Sequence, residues 1–197
     1  MNSRKKNLLI VISGPSGVGK GTVVSELLKA SRNIKHSISF TTRPPRLSEI
    51  DGYHYFFVTH EKFHEKIKNG EFLEWAEVHG HYYGTSWEPV EEMLKNGYDV
   101  VIEVDIQGAA SIKSAFARMN YSNAKCFLIF LIPPSFEALS KRLEKRQTET
   151  PEITDMRLLR AAVEFQAMRY FDYVVLNKDL EKAVAEIKNI IKNERKN

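Results

Sequence analysis

A glycine-rich stretch near the amino terminus has the residue types and spacing of a phosphate-binding loop. It reads ISGPSGVGKGT over residues 12–22, and Gly14, Gly19 and Lys20 fit the pattern G-x-x-x-x-G-K. Glycines let successive backbone N–H groups point inward around a polyphosphate, a following helix adds partial positive charge, and the lysine reaches the outer phosphates. The stretch therefore predicts a site for a nucleoside triphosphate.

The flanking sequence favours this interpretation over an ordinary glycine turn. Residues 8–12 are an apolar run of strand length, and the apolar residues of the stretch 22–30 fall on one face of a helix. Strand, loop and helix in this order are the context in which the motif is specific.

The residue after the lysine departs from the usual pattern. Ser or Thr normally stands there and contributes its hydroxyl to the Mg²⁺ shell, but this chain has Gly21, and the next hydroxyl is on Thr22. Mg²⁺ readily keeps water and phosphate oxygens as ligands. We therefore expect Mg²⁺ bound with the nucleotide, with its protein ligands left unassigned.

Composition and charge narrow the class of protein. At 197 residues one domain is the default expectation, and a dispersed net charge of +4 suits small anionic substrates better than nucleic acid. No apolar run is long enough to span a membrane, and the run after the basic start is too short for a signal peptide. Cys126 is the single cysteine, so no intrachain disulfide is possible. Together these observations lead us to expect a cytoplasmic protein without membrane or nucleic-acid partners.

Apolar stretches alternate with helical patterns along the chain and predict an α/β fold with a parallel sheet. Ligands of such sheets gather at the carboxyl ends of the strands, where the glycine loop falls. Two segments interrupt the alternation, one of aromatic, His and Gly residues and one dominated by charge. The basic tail from Lys192 is interpreted as a solvated helix end. The predicted strands are residues 8–12, 100–104, 126–132 and 173–176, and the interruptions are residues 37–88 and 136–161.

The first interruption carries a pair of arginines, Arg43 and Arg46, in SISFTTRPPR. Alone they would be an exposed turn, but DGYHYFF and GEFLEWAEVHGHYYGTS follow and combine aromatic hydroxyls with carboxylates. Together with GPSGVGKGT, EVDIQGA, IPPS and RLEKRQTET, in this order, these segments resemble guanylate kinases over nearly the whole chain. The resemblance implies Mg²⁺-dependent phosphoryl transfer from ATP to GMP, and leaves open whether dGMP is accepted.

The resemblance also implies an architecture. The fold would be that of phosphate-loop NTPases, a five-stranded parallel sheet flanked by helices. One guanylate kinase domain would comprise a core of residues 1–37, 89–136 and 162–197, a GMP-binding lobe at 38–88 and a lid at 137–161.

The resemblance assigns GMP contacts whose chemistry fits the ligand. Planar guanidinium groups and phenol hydroxyls can enclose a phosphate dianion. A carboxylate can face the N1–H and N2–H donors of guanine while a hydroxyl faces O6. The phosphate contacts would be Arg43, Arg46, Tyr55 and Tyr83 with Ser39 beside them, and the base contacts Glu74, Thr85 and Asp105.

For ATP, the resemblance assigns the loop and Asn177, and for the transferred phosphoryl group a set of lid arginines. Arginines on a closing lid supply positive charge when both substrates are bound. Gln147 stands where the family usually has Gly, and Lys178 stands where it often has Asp. The ATP set is Gly14, Pro15, Ser16, Gly17, Val18, Gly19, Lys20, Gly21, Thr22 and Asn177, and the catalytic set is Lys20, Arg43, Arg142, Arg146 and Arg157.

Two acidic residues, Glu103 and Asp105, stand two apart and are expected on one face near the end of a strand. Burying a carboxylate is costly unless it has a partner. The resemblance assigns Asp105 to GMP and makes Glu103 a candidate for ordering Mg²⁺-bound water.

Two other functions stay open from the sequence. Guanylate kinase-like domains also occur as non-catalytic peptide-binding modules, but such a module has no need of Lys20 or of lid arginines. A related kinase with another phosphorylated acceptor would share the loop but should lack Glu74 and Thr85.

Overall fold

The computed structural model describes residues 6–78, 80–144 and 163–196. The described elements follow in chain order as β1 (Asn7–Ser13), α1 (Lys20–Lys29), β2 (Ile34–His36), β3 (Phe40–Thr41), β4 (Phe56–Phe57), α2 (His60–Lys68), β5 (Phe72–Val78), β6 (His81–Ser86), α3 (Trp87–Lys95), β7 (Asp99–Glu103), α4 (Ile106–Met119), β8 (Ala124–Ile132), α5 (Phe136–Glu144), β9 (Tyr173–Leu176) and α6 (Leu180–Glu194), with a 3₁₀ turn at Ala167–Tyr170 before β9.

The central sheet has five parallel strands in the order β2-β7-β1-β8-β9. Strand β1 lies in the middle, and Leu9 to Ile12 are completely buried because helices cover both faces. One hydrophobic cluster packs α1 and α6 against the sheet, and another packs α3 and α4 on its other face. The prediction of a parallel α/β sheet is confirmed, and β2, too short to stand out in the sequence, is its fifth strand.

A smaller sheet occupies the segment predicted as a lobe. Its strands run in the order β4-β3-β6-β5, with β3 and β4 parallel and the other pairs antiparallel. Stacked rings hold α2 to it: the ring of Phe63, completely buried, lies 4.5 Å from that of Phe72 and 5.5 Å from that of Tyr82. Strand β5 also packs against α4 of the core.

The structure corrects two expectations. Asp105 does not lie on the strand with Glu103: β7 ends at Glu103, and Asp105 is the N-cap of α4, where its carboxylate accepts the N–H of Gly108 at 2.7 Å. Aspartate is favoured at such caps because it satisfies an otherwise unpaired amide. The carboxyl-terminal tail is not simply solvated, since Glu194 pairs with Lys125 at 2.6 Å and Arg195 pairs with the buried Asp99.

Candidate active site

The loop between β1 and α1 has three glycines with positive φ, and at Gly14 and Gly19 a Cβ would also come too close to a neighbouring atom. Gly14 has φ of 144°, and a Cβ there would lie 2.5 Å from the carbonyl oxygen of Leu131 on β8. Gly19 has φ of 99°, and a Cβ there would lie 2.8 Å from Nδ2 of Asn177. The left-handed conformations and the close approach together explain why the chain has glycine at both.

Lys20 is the first residue of α1, and its side chain reaches back across the loop. Its Nζ donates to the carbonyl oxygen of Gly14 at 2.7 Å. From the other side, Nδ2 of Asn177, just after β9, donates to the carbonyl oxygen of Val18 at 2.8 Å. The structure thus brings the predicted loop, its lysine and Asn177 together at the carboxyl end of the sheet.

Glu103 lies against the first turn of α1. A Cβ built on Gly21 would lie 3.4 Å from its Oε2, and that Oε2 is buried without a hydrogen-bond partner among the described residues. Burial raises the pKa of Glu103, and the charge of Lys20 acts in the opposite direction. Within the described residues no group of three or more His, Cys, Asp or Glu could bind a metal. These residues fit a Mg²⁺ ion held mainly by nucleotide phosphates with one carboxylate at hand.

Three predicted GMP residues form a hydrogen-bonded row: Glu74 on β5, Thr85 on β6, and Ser39 just before β3. Thr85 donates its hydroxyl to Oε1 of Glu74 at 2.8 Å, and the Oγ of Ser39 lies 3.1 Å from that of Thr85. Thr85 is completely buried and Glu74 only 8% exposed. The other oxygen of Glu74 lies 3.1 Å from where a Cβ on Gly108 would sit, so a side chain on α4 would crowd it.

The environment of Glu74 disfavours its charged form. Burial is the main cause, the neighbouring Asp105 adds to it, the hydroxyl of Thr85 counteracts it, and the pKa of Glu74 rises to about 7. A buried carboxyl with a raised pKa marks Glu74 as a candidate for a ligand site.

The predicted phosphate contacts form a second cluster around Arg43. Its guanidinium lies over the rings of Tyr55 and Phe57, 5.7 Å and 5.9 Å from their centroids, and interacts with the hydroxyl of Tyr83. The rings of Tyr55 and Tyr83 meet edge to face at 5.9 Å. Burial, followed by the charge of Glu103, raises the pKa of Tyr55 to about 12, so its hydroxyl stays a donor at neutral pH.

Glu49 organises the arginine loop and was missed by the sequence analysis. Both of its carboxylate oxygens accept from Nη2 of Arg43, at 2.8 and 2.9 Å, and Oε2 also accepts the backbone N–H of Arg46 at 2.8 Å. The side chain of Arg46 is 58% exposed and its Nη1 lies 4.0 Å from Oε1 of Glu49, whereas Arg43 is 14% exposed and bonds to both oxygens of Glu49. The sequence does show a carboxylate three residues after Arg46, but on a loop this spacing does not predict a contact between the two side chains.

We expect Glu49→Gln to raise KM for GMP about tenfold, because Arg43 would lose the negative charge and one of the two acceptor oxygens that orient its guanidinium, and GMP binding would then have to order it. Steady-state kinetics at saturating ATP would measure this. Glu71→Gln is the matched control, since it breaks an ion pair with Lys66 elsewhere in the lobe. A lower KM for GMP would contradict the prediction, because it would mean that Glu49 competes with the phosphate for Arg43.

The lid arginines are only partly placed. Arg142 belongs to α5, while Arg146 and Arg157 lie outside the described residues. Their assignment stays a prediction.

Across the described part of the chain, no helix has the length and apolar character needed to cross a membrane.

A glycine loop at the carboxyl end of a parallel sheet, with its lysine at a helix start and an arginine-bearing lobe beside it, defines a phosphate-loop enzyme that acts on a phosphorylated acceptor. The guanylate kinase family model matches residues 6–194. Guanylate kinases of Carboxydothermus hydrogenoformans and Caldanaerobacter subterraneus are 43% and 46% identical to this chain, over 96% and 97% of it and 90% and 89% of their own lengths.

A solved structure agrees with these relatives. The crystal structure of guanylate kinase from Anaplasma phagocytophilum superimposes with a TM-score of 0.76 at 34% identity, covering 98% of this chain and 88% of that one. The chain belongs to the guanylate kinase family. The predicted family, fold and enzyme class, an ATP:GMP phosphotransferase, are confirmed.

Proposed function

We propose that this cleft carries out the guanylate kinase reaction, transfer of the γ-phosphoryl group from Mg²⁺-ATP to GMP, with the residues named above. The observation that carries the proposal is the row formed by Ser39 with the buried Thr85 and Glu74, in a lobe that packs against the core of the phosphate loop. It offers a hydroxyl and a carboxyl side by side, complementary to the O6 and N1–H edge of guanine.

The donor half of the reaction belongs to the loop. Backbone N–H groups of residues 14–22 and the start of α1 bind the ATP phosphates, and Lys20 leaves the carbonyl oxygen of Gly14 to contact the outer ones. Asn177 supports the loop by donating to the carbonyl oxygen of Val18, and it lies on the side of the loop where the adenine of ATP binds. Mg²⁺, when bound with ATP, neutralises charge on the phosphate oxygens, and Glu103 is the carboxylate placed to help hold it.

The acceptor half belongs to the lobe. Arg43 and Arg46 bind the GMP phosphate, with the hydroxyls of Tyr55 and Tyr83 completing the enclosure, and Glu74, Thr85 and Asp105 contact the base. Ser39, expected beside the phosphate contacts, has its Oγ 3.1 Å from that of Thr85. Asp105 acts from the start of α4 and shares its carboxylate with the helix cap. The phosphate oxygen of GMP is already a good nucleophile, so transfer is direct and in line and needs no general base.

Catalysis is therefore positioning and charge stabilisation. Arg142, Arg146 and Arg157 would add positive charge at the transferred group when the lid, residues 137–161, meets the lobe, residues 38–88. Because arginines from two insertions must converge, closure of the lid onto the lobe is part of the proposal.

Solution scattering should show a smaller radius of gyration with GMP and a non-hydrolysable ATP analogue than with either alone. An unchanged radius at saturation would contradict it.

The raised pKa of Glu74 predicts a pH dependence for GMP. Only the ionised carboxylate can accept two donors from guanine, so kcat/KM for GMP should fall as the pH drops below about 7, by up to about tenfold per unit. Measurements between pH 5.5 and 8.5 with Glu74→Gln as control separate this effect from titration of the GMP phosphate, whose pKa is about 6 and which the variant keeps. If unaltered chain and variant had the same profile, Glu74 would not face the base.

The acceptor itself is tested with purified chain, ATP and Mg²⁺, offering GMP, AMP, CMP and UMP separately and measuring nucleoside diphosphate formation. We expect GDP to form and the other products to be at least about 10³-fold slower. No product with any acceptor would favour a non-catalytic binding module. A different preferred acceptor would favour a related kinase.

A further inference from the structure

A loop without a helix connects two neighbouring strands of the lobe. β3 and β4 lie side by side and parallel, and residues 42–55 run between them. Parallel strands are usually connected by a helix that packs on the sheet. This loop instead has its large apolar side chains in solvent, since Leu47, Ile50 and Tyr53 are all exposed. Hydrophobic packing therefore does not hold the middle of the loop in place.

Hydrogen bonds fold the middle of the loop into a turn. The backbone N–H of Ile50 donates to Nδ1 of His54 at 3.0 Å, and the backbone N–H of His54 donates to the carbonyl oxygen of Ile50 at 3.0 Å. Nearby, Oδ1 of Asp51 accepts the backbone N–H of Phe57 at 2.8 Å. Two bonds thus join Ile50 to His54, and one of them needs the imidazole.

The imidazole of His54 has two separable contacts. A backbone N–H can only donate, so Nδ1 is the acceptor and the neutral ring carries its proton on Nε2. The ring also meets the ring of Tyr53 edge to face, with 4.9 Å between the centroids. A substitution that keeps the ring and one that keeps the acceptor therefore distinguish the two contacts.

The bond between Ile50 and His54 joins the two halves of the proposed phosphate enclosure. Ile50 follows Glu49, whose carboxylate accepts from Arg43. His54 precedes Tyr55, over whose ring the guanidinium of Arg43 lies. The bond therefore limits how far the carboxylate that orients the arginine and the tyrosine of the same enclosure can move apart.

We propose that His54 is a positioning residue for GMP, whose Nδ1 holds the loop in the conformation that binds the phosphate. It acts through Glu49 and Tyr55 rather than by contact with the substrate. The inference rests on the proposed function, because it needs the GMP phosphate in this enclosure. Without the bond, GMP binding would have to order the loop, which weakens binding but leaves the bound complex unchanged. KM for GMP should therefore change while kcat stays the same.

Two substitutions separate the nitrogen of His54 from its ring. His54→Phe keeps an aromatic ring beside Tyr53 but has no acceptor, and we expect it to raise KM for GMP about fivefold, the scale of one lost hydrogen bond. His54→Asn loses the ring, but its Oδ1 can accept in place of Nδ1, so KM for GMP should stay within about twofold of that of the unaltered chain. Steady-state kinetics should give kcat and KM for ATP within about twofold in both variants.

His64→Phe is the matched control. His64 is exposed on α2, outside the loop, and its ring lies 4.9 Å from that of Tyr82. The same replacement there should leave KM for GMP unchanged. Thermal unfolding of the three variants checks that the lobe stays folded.

Three results would overturn the positioning role. His54→Phe could keep the KM of the unaltered chain for GMP, His54→Asn could raise KM as much as His54→Phe or more, or kcat at saturating GMP could fall with KM unchanged. Failure of the proposed function is distinguishable, because the unaltered chain itself would then form no GDP.

Discussion

Lys20→Ala should lower kcat by about 10²-fold or more while the fold stays intact. The ammonium group donates to the Gly14 carbonyl inside the loop, and the proposed function has it contact the outer phosphates when ATP binds. Losing one preorganised cation at the group where charge develops costs on this scale, because water cannot replace it in a closed site. Steady-state kinetics with saturating ATP and GMP would measure the effect.

The control variant lies on the same helix. Lys29→Ala removes a lysine from the last turn of α1, where its Nζ pairs with Glu26 on the surface, and should leave kcat within about twofold. Thermal unfolding of both variants checks that the helix is intact. A folded Lys20→Ala protein with near-normal turnover would contradict the assignment of the phosphate loop.

Glu74→Gln should lower kcat/KM for GMP sharply and shrink the ratio of GMP to AMP activity, with KM for ATP nearly unchanged. Adenine would present a lone pair at N1 to the carboxylate, leaving a buried group without its two donors. Sites built to bond one edge can reject the wrong one by about 10⁴-fold, and the variant should lose much of that factor. Glu77→Gln, exposed on the same strand, is the matched control.

Thr85→Ala should have the same effect in a milder form. It removes one neutral hydrogen bond to the base, worth about 1 kcal/mol or about fivefold; without ligand, the single proton of that hydroxyl is donated to Glu74. The acceptor preference is measured as kcat/KM for GMP and AMP with each variant. If Glu74→Gln and Thr85→Ala both kept the original ratio, the base would have to be recognised elsewhere.

The parts of the site that follow from local sequence were predictable. The loop from Gly14 to Thr22 is contiguous, and its neighbours β1 and α1 have clear periodicity, so motif and elements agree. Glu74 and Thr85 lie on paired strands, but no local pattern shows that they touch. Their assignment came from resemblance alone, and the bond between them appears only with the register of β5 and β6.

Other features depend on contacts that single residues do not reveal. Glu49 lies on a loop, where spacing does not imply neighbours. The spacing of two residues between Glu103 and Asp105 predicts both on one strand, but Asp105 is instead the N-cap of α4, a position that aspartate favours. The buried Asp99 pairs with Arg195 of the tail, 96 residues further along the chain, and net charge alone predicts that such a tail is solvated.

A crystal structure of this chain with GMP and a non-hydrolysable ATP analogue tests the assignment of the two half-sites most directly. We expect the ATP phosphates in the loop with Lys20 on the outermost, the GMP phosphate between Arg43 and Arg46, and the guanine edge on Glu74 and Thr85. GMP bound away from the Ser39, Thr85 and Glu74 row, or nucleotide phosphates outside the loop, would contradict it.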